Sequence, residues 1–231
     1  MSGGITQLVA IGAQDAHLVG NPEVSFFRSI YKRHTNFAHV VERQVIQGNP
    51  TAESISTIRL ERKGDLVSYI YLTHNDSANN FTQSNIKQVE LLIGGQVIDT
   101  QTQEFIQSVA PEYLGSTITK TRDSPGTFFP LRFWFCENFQ SALPLVSLQY
   151  HDVEIRITWA FVPTMGRVTE CFADFIYLDT DERQALANSP QEHLIYQVQK
   201  ANVPQTERVM ELNFNHPIKF LAAEGALLEN S

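Results

Sequence analysis

The amino-acid sequence predicts an all-β protein, an antiparallel jelly-roll sandwich with one or two short helices in its connections. Residues 153–159 alternate apolar and polar side chains without a break, as a half-buried strand does. Gly94-Gly95 lies between two β-prone runs, which is typical of a tight hairpin because primed turns need positive φ. The predicted strands do not alternate with long helices, which argues against a parallel α/β fold.

The remaining elements follow from β-branched and aromatic content and from turn residues. We expect nine to ten strands, which cover residues 37–47, 54–61, 66–73, 87–100 (as a hairpin), 128–135, 153–159, 171–178, 193–199 and 208–214. Short helices are expected over 102–113 and 180–188, the second capped by Asp179 or Thr180. Residues 22–31 fit either a short helix or an extended arm with one helical turn.

Composition excludes several classes of protein. The 231 residues carry 17 Lys+Arg against 25 Asp+Glu, a net charge of −8, which argues against a nucleic-acid binder with a broad basic surface. No apolar run approaches the roughly 18 residues of a membrane span. The first residues lack the features of a secretory signal, and Cys136 and Cys171 cannot form a disulfide framework. We therefore expect synthesis in a reducing cytosol.

The sequence shows no catalytic constellation, and we expect no enzyme, no metal and no cofactor. Its seven histidines include no His-x-His pair, which disfavours a metal-dependent jelly-roll oxygenase. It has no Gly-x-Ser-x-Gly motif. The acids Asp179, Asp181 and Glu182 fit the first turn of a helix better than a cation site. The basic cluster Arg28, Lys32 and Arg33 fits a lipid head group, an acidic partner or a solvated face equally well.

Two triplets in the polar loop after residue 73 match the acceptor pattern for N-glycosylation. They begin at Asn75 and Asn80, and a protein that stays in the cytosol leaves them unmodified. With no catalytic motif, the abundant aromatic strands and long polar loops favour a rigid β scaffold that contacts copies of itself or other partners. A carbohydrate-binding β-sandwich is the alternative from the binding class.

Several stretches, in order along nearly the whole chain, resemble the major capsid proteins of nucleocytoplasmic large DNA viruses, especially those that infect algae. The resemblance rests on the following segments: Leu8–Asp15, Gly20–Pro22 with Phe26-Phe27, Tyr31–Phe37, Arg62–Leu66, Val89–Leu91 with Gly94–Gln96 and Ile98-Asp99, Pro130–Phe135, Ala142–Leu145 with Leu148–His151, Tyr177–Thr180 with Glu182-Arg183, and Asn213–Pro217. A minor capsid or penton-type jelly-roll protein is a neighbouring alternative.

The resemblance implies a double jelly-roll subunit whose homotrimers tile an icosahedral virion capsid. It implies residues 1–35 as an N-terminal arm, 36–215 as the first jelly roll and 216–231 as the start of a linker to a missing second jelly roll. The implied partners are the chain itself, neighbouring capsomers and minor capsid proteins. The internal viral membrane is a further candidate, and no direct nucleic-acid contact is implied. Synthesis in the host cytoplasm and assembly into the virion follow.

The resemblance also implies scaffold positions rather than a reaction site. Core positions are Phe133, Trp134, Phe135 and Pro144, and turn positions are Gly64, Gly94 and Gly95. The alternation at 153–159 adds Trp159 to the expected core. Trimer contacts are expected from loops 74–86 and 101–127 and from the arm. Because family members are roughly twice this length, we expect either a fragment or a shortened paralogue. An apolar patch should then be exposed where a second jelly roll would pack.

Overall fold

Two antiparallel sheets form the body of the larger of two compact units, residues 1–34 and residues 35–231. The computed structural model describes residues 3–10, 12–13, 16, 20–29, 31–74, 86–110, 128–160, 169–201 and 211–223. Within these residues the strands are β1 Phe37–Gln44, β2 Ile46–Gln47, β3 Ile55–Arg59, β4 Leu66–His74, β5 Ile86–Ile93, β6 Gln96–Thr102, β7 Phe128–Pro130, β8 Leu143–Pro144, β9 Val153–Trp159 and β10 Thr169–Leu178.

The order of the strands is that of a jelly roll. Sheet A has the order β1-β10-β4-β7, and β8 also pairs with β4. Sheet B has the order β2-β3-β9-β5-β6. Each of these pairs is antiparallel, and the neighbours β1-β10 and β3-β9 are far apart in sequence. The predicted antiparallel jelly-roll sandwich is therefore confirmed.

The core lies between the two sheets and follows from strand alternation. In β9, Val153, Ile155, Ile157 and Trp159 are all at most 3% exposed, while the residues between them are half-buried. In β10, Cys171, Ala173 and Phe175 are fully buried. Burying one large apolar side chain contributes about 1.5–3 kcal/mol, so these inner faces hold the sheets together.

The aromatic run at 128–135, predicted as one strand, is a strand only at its start. β7 ends at Pro130, and a 3₁₀ turn covers Trp134–Cys136, closed by the amide of Cys136 donating to the carbonyl of Phe133 at 2.9 Å. Phe133, Trp134 and Phe135 are all buried although they are consecutive. A strand points successive side chains to opposite faces, so burying all three requires the chain to turn.

Two further expected strands are absent from the described residues. Residues 193–199 have no regular structure, because side-chain contacts rather than a ladder hold them. Residues 211–214 are also irregular, and 208–210 lie outside the described residues. Helix α2, Thr180–Asn188, lies where it was predicted, with the Asp179 carboxylate accepting from the amide of Thr180. In the other predicted helix, Phe105–Val109 is a π-helical segment, and 111–113 lie outside the described residues.

The smaller unit contains helix α1, Gly3–Val9, which the sequence analysis did not predict. Residues 22–25 have no regular structure, and a turn follows in which the amide of Arg28 donates to the carbonyl of Ser25 at 3.4 Å. The described residues of this stretch therefore do not form the short helix that was one of the two alternatives. In the part of the chain described, no helix is long and apolar enough to cross a membrane.

Candidate assembly surface

The outer face of sheet A is rich in aromatic side chains. The inner positions of β4 and β10 point into the core, and Tyr69, Tyr71 and Phe172 lie at the positions between them, all three half-buried. Tyr69 also packs against the core. The rings of Tyr71 and Phe172 stack with centroids 5.5 Å apart, and those of Tyr69 and Tyr71 are 6.5 Å apart. Such rings offer large apolar area, which is typical of a surface that packs against another surface.

Strand β1 forms one edge of sheet A and extends this aromatic face. It pairs with β10, and both Val40 and Val41 are more than 40% exposed although they point to opposite faces of the sheet. Phe139 packs beside the strand, with its ring centroid 6.2 Å from those of Phe37 and His39. An exposed apolar edge strand is a ready site for protein association.

The outer face of sheet B is polar by contrast. Arg156 lies 3.2 Å from Glu90 across the β9-β5 pair, and Lys87 lies 2.6 Å from Glu53. Gln88 donates to Glu90 at 2.8 Å. Because these side chains satisfy one another at the surface, sheet B is suited to water, and sheet A is the better candidate for assembly.

The edge of sheet B at β6 is covered by the C-terminal strap, which we define as residues 193–200. The amide of Val198 donates to Asp99 at 2.9 Å, and the Gln197 side chain donates to the carbonyl of Ile98. Lys200 pairs with Glu104 at 2.6 Å. These contacts cover the strand edge without forming a ladder.

Asp99 and Glu104 both contact the strap, and the fold shifts their pKa values in opposite directions. Asp99 is 3% exposed, and burial raises the pKa of its carboxyl although Val198 and Gln101 donate to it. The hydrogen bond from Lys200 lowers the pKa of the exposed Glu104 to about 2. Acidification should therefore stabilise the folded state through Asp99 and destabilise it through Glu104.

A second apolar patch lies on the outer side of the strap. Leu194 is 80% exposed, and Ile218 and Leu221 are 53% and 60% exposed. Lys219 lies 3.8 Å above the centre of the Tyr196 ring, so residues 218–221 lie beside the strap. We name these five residues the strap patch.

The five residues predicted as structural core all lie in buried positions of the jelly roll. Phe133, Trp134, Phe135 and Trp159 are at most 5% exposed, and Pro144 in β8 is buried. The Phe133 and Phe135 rings stack at 5.6 Å, and Trp134 meets Phe135 edge-on at 5.3 Å. The indole of Trp159 donates to Ser56 at 2.9 Å.

The glycines predicted at turns have different physical reasons to be glycine. Gly94 and Gly95 have φ values of +60° and +80° in the β5-β6 turn, a region that disfavours side chains. Gly64 is required by space: a Cβ there would lie 2.7 Å from the Cβ of Phe175. The turn before β4 therefore approaches β10 too closely for any side chain.

The remaining sequence predictions concern glycosylation sites, loops, the two cysteines and metal ligands. Asn75 and Asn80 lie outside the described residues, as do 75–85 and 111–127 of the two loops expected to make trimer contacts. Burial raises the pKa of both Cys136 and Cys171 to about 12, so both side chains are neutral thiols. Among the described residues, no group of three or more His, Cys, Asp or Glu is placed to hold a metal ion.

The ion pair between Asp65 and Arg183 was not predicted from the sequence. Asp65 lies in the turn before β4, and Arg183 lies in the first turn of α2, 118 residues later. In the sequence, Asp65 directly follows the turn glycine Gly64, and Arg183 follows the acidic residues at the start of a predicted helix. Neither signal identifies the other residue, because their contact depends on how β10 packs against β4.

Comparison with known proteins identifies the family of this fold. The family described as "Major capsid protein N-terminus" matches residues 25–209. The major capsid protein of Pyramimonas orientalis virus is 37% identical over 96% of this chain and 64% of its own length. That of Paramecium bursaria Chlorella virus 1 is 33% identical over 96% of this chain and 60% of its own length.

A solved structure agrees with these sequence relatives. A chain of the quasi-atomic PBCV-1 virus capsid superposes with a TM-score of 0.64 at 29% identity, covering 84% of this chain and 57% of that one. The chain thus spans about three fifths of the length of the relatives it matches. From the family match over most of its length, the chain belongs to the viral major capsid protein family.

Proposed function

We propose that this chain is a structural subunit of a viral capsid, in which its jelly roll self-associates into trimers that tile an icosahedral shell. The observation that carries the proposal is the contrast between the two outer faces. Sheet A presents the stacked rings of Tyr71 and Phe172 beside the edge strand β1, along with the ion pair between Arg43 and Glu170, whereas the described outer residues of sheet B present mainly paired charges. Relatives named as major capsid proteins support the same role.

The proposed role requires shape and interface complementarity rather than turnover, so we propose no enzymatic activity. The relatives are named for a shell component and not for a reaction. Burial raises the pKa of the Cys136 and Cys171 thiols to about 12, so neither offers a thiolate nucleophile at neutral pH. The proposed location is the virion capsid, after synthesis in the host cytoplasm.

The proposed organisation is an arm at 1–35, a jelly roll at 36–215 and the start of a linker at 216–231. The strap patch is the proposed contact with a second jelly roll, because its apolar side chains are exposed and Ile218 and Leu221 belong to that linker. Neighbouring capsomers and minor capsid proteins are the further proposed partners. The loops 74–86 and 101–127 and the arm remain the proposed trimer contacts, together with sheet A.

The test is the native mass of the purified chain, measured by light scattering after size exclusion. We expect a discrete species of three times the 26.1 kDa chain mass. Val41→Lys places a charge on the β1 edge and should shift the species toward monomer. The matched control is Ile55→Lys, since Ile55 is similarly exposed, 55% against 47%, but lies on the outer face of sheet B.

The wild-type chain tests whether the jelly roll forms a trimer, and the two variants test which sheet forms the interface. A wild-type chain that stays monomeric at every concentration contradicts self-assembly of this jelly roll. A trimer that survives Val41→Lys shows that the trimer does not use the edge of sheet A. Loss of the trimer in Ile55→Lys alone would move the interface to sheet B.

A further inference from the structure

The smaller unit, residues 1–34, exposes aromatic side chains to an unusual degree. Phe26 is 96% exposed, Phe27 100% and Tyr31 93%. Each of these three rings could bury a large apolar area against a partner. A stretch with this exposure is suited to a surface that accepts apolar rings.

The same stretch carries the basic cluster of the sequence. Arg28, Lys32 and Arg33 are exposed, and none forms an ion pair with a described residue. Residues 24–41 contain no Asp or Glu, although the whole chain has a net charge of −8. The cluster is thus a local positive region on an acidic protein, which favours an anionic partner.

Helix α1 in the same unit adds an aliphatic face. Ile5, Leu8 and Val9 have the i, i+3, i+4 spacing of one helix face, and they are 55%, 81% and 75% exposed. The unit therefore combines an aliphatic helix face, exposed rings and unpaired cations. The cations match the head groups of a membrane surface, and the aliphatic and aromatic side chains match the boundary between head groups and acyl chains.

We propose that the N-terminal unit binds the surface of a membrane that contains anionic lipids. The aliphatic side chains of α1 and the rings of Phe26, Phe27 and Tyr31 enter the boundary between head groups and acyl chains. Arg28, Lys32 and Arg33 contact lipid phosphates and carboxylates. This inference rests on the arm's own residues and does not depend on capsid assembly.

A membrane fits these residues better than nucleic acid does. Single-stranded nucleic acid offers bases that stack on exposed rings and phosphates that attract cations. It offers no apolar layer for Ile5, Leu8 and Val9, whereas a lipid interface accepts all three kinds of side chain. Binding should be weakened by salt, because each cation near an anionic surface strengthens binding by roughly fivefold.

The experiment is sedimentation of the purified 231-residue chain with vesicles. We expect binding to vesicles of phosphatidylcholine mixed with phosphatidylserine, and little binding to phosphatidylcholine alone. The variant Arg28→Gln, Lys32→Gln, Arg33→Gln should lose roughly a hundredfold in binding to the anionic vesicles. The matched control is Arg43→Gln, Lys63→Gln, Lys87→Gln, which removes the same charge from exposed, ion-paired positions of the larger unit and should bind like wild type.

A spectroscopic readout checks insertion independently of affinity. Both natural tryptophans, Trp134 and Trp159, are buried in the jelly roll, so Phe27→Trp adds the one exposed reporter. Its emission should shift to the blue with anionic vesicles and remain unchanged with phosphatidylcholine alone. The melting transition of the jelly roll in each variant should match wild type, since the arm positions are exposed.

Three outcomes overturn the proposal. The first is wild-type protein that does not sediment with anionic vesicles. The second is equal loss of binding in both triple variants, which assigns the effect to total charge. The third is a Phe27→Trp signal that responds to a single-stranded oligonucleotide and not to vesicles, which assigns the arm to nucleic acid. The oligomeric mass is measured separately, so failure of capsid assembly does not bear on this result.

Discussion

The carboxylate of Asp65 holds the guanidinium of Arg183 by two contacts, Oδ1 to Nε at 2.8 Å and Oδ2 to Nη2 at 2.9 Å. Oδ2 also accepts from the amide of Leu178 at 2.9 Å, and the Asp65 carbonyl accepts from Val146 at 3.1 Å. One residue of the turn before β4 therefore fixes the end of β10 and the start of α2. This connection leads from the jelly roll into the strap.

Replacing Asp65 by Ala should destabilise the jelly roll. The side chain is 12% exposed, and its loss leaves the amide of Leu178 without its acceptor, which costs about 1–3 kcal/mol. Chemical denaturation measures the change. The control is Asp181→Ala, at an exposed position in the first turn of α2, the turn that also contains Arg183. It should cost only a few tenths of a kcal/mol, about the lower end for an acidic residue in a first helical turn. Equal losses in the two variants would contradict a special role for Asp65.

Gly64→Ala should also destabilise the fold, because the added methyl has no room. Its Cβ would lie 2.7 Å from the Cβ of Phe175 and 3.1 Å from the carbonyl oxygen of Ile176. Relief of such overpacking costs about 1–3 kcal/mol. Gly4→Ala in α1 is the control, since nothing lies within 4 Å of the added Cβ and alanine favours a helix. A thermal melt in which the Gly64 variant matches the Gly4 variant would show that β10 yields to the methyl.

Trp134 should tolerate Phe far better than Ala. Among the described residues its buried indole N–H has no hydrogen-bond partner, so removing that donor removes a desolvation cost. We expect about 3–5 kcal/mol for Trp134→Ala and about 1 kcal/mol for Trp134→Phe. Urea unfolding measures both.

Trp159 provides the comparison for Trp134. Its indole donates to the fully buried Ser56 at 2.9 Å, so Trp159→Phe removes a bond as well as volume. That variant should be less stable than Trp134→Phe by about 1 kcal/mol. The opposite ranking would mean that the Trp134 N–H contributes a bond to the native state.

Acidification should stabilise wild type relative to Asp99→Asn. Burial raises the pKa of Asp99 in the folded state above its ordinary value of 3.8, so the folded protein binds the proton more tightly than the unfolded chain does. The burial cost of the charged form is present at neutral pH and is relieved as pH falls through the raised pKa toward 3.8. Melting temperatures across this window measure the difference. A difference that is constant with pH would show that folding leaves the pKa of Asp99 unchanged.

Glu104→Gln should show the opposite dependence on pH. The folded-state pKa of Glu104 is about 2, against an ordinary value of 4.5, because Lys200 donates to it. Its contribution is present above 4.5 and is lost as pH falls toward about 2, so the variant and wild type should converge there. The pair is nearly half-exposed, so the effect on melting temperature should be small. Added salt should reduce it further.

Local patterns in the sequence were sufficient to predict many elements. The alternation at 153–159 gives the same bounds as β9, and the hairpin around Gly94-Gly95 is formed by β5 and β6. The Asp179 cap and the helix after it lie where the sequence predicts them. These features depend on residues close to one another in the chain, so their physical causes can be read locally.

The failures arise where a distant partner competes with local preference. Residues 193–199 have β-prone composition, yet Val198 donates to the carboxylate of Asp99 instead of entering a ladder. The aromatic run ending at Phe135 turns because three consecutive side chains are buried. Propensity does not encode either outcome, since both depend on surfaces supplied by other strands.

The sequence by itself determined the class of fold, the order of most elements and the resemblance to capsid proteins, because alternation, turn glycines and motif order are local properties of the chain. Only the tertiary structure decided which strands are neighbours. It also decided that sheet A is aromatic outside while sheet B is polar, and that Asp65 meets Arg183. These features depend on contacts between residues far apart in the sequence, such as Phe37 with Leu178 and Asp65 with Arg183, and the free energy of such contacts arises only when both partners are packed in place.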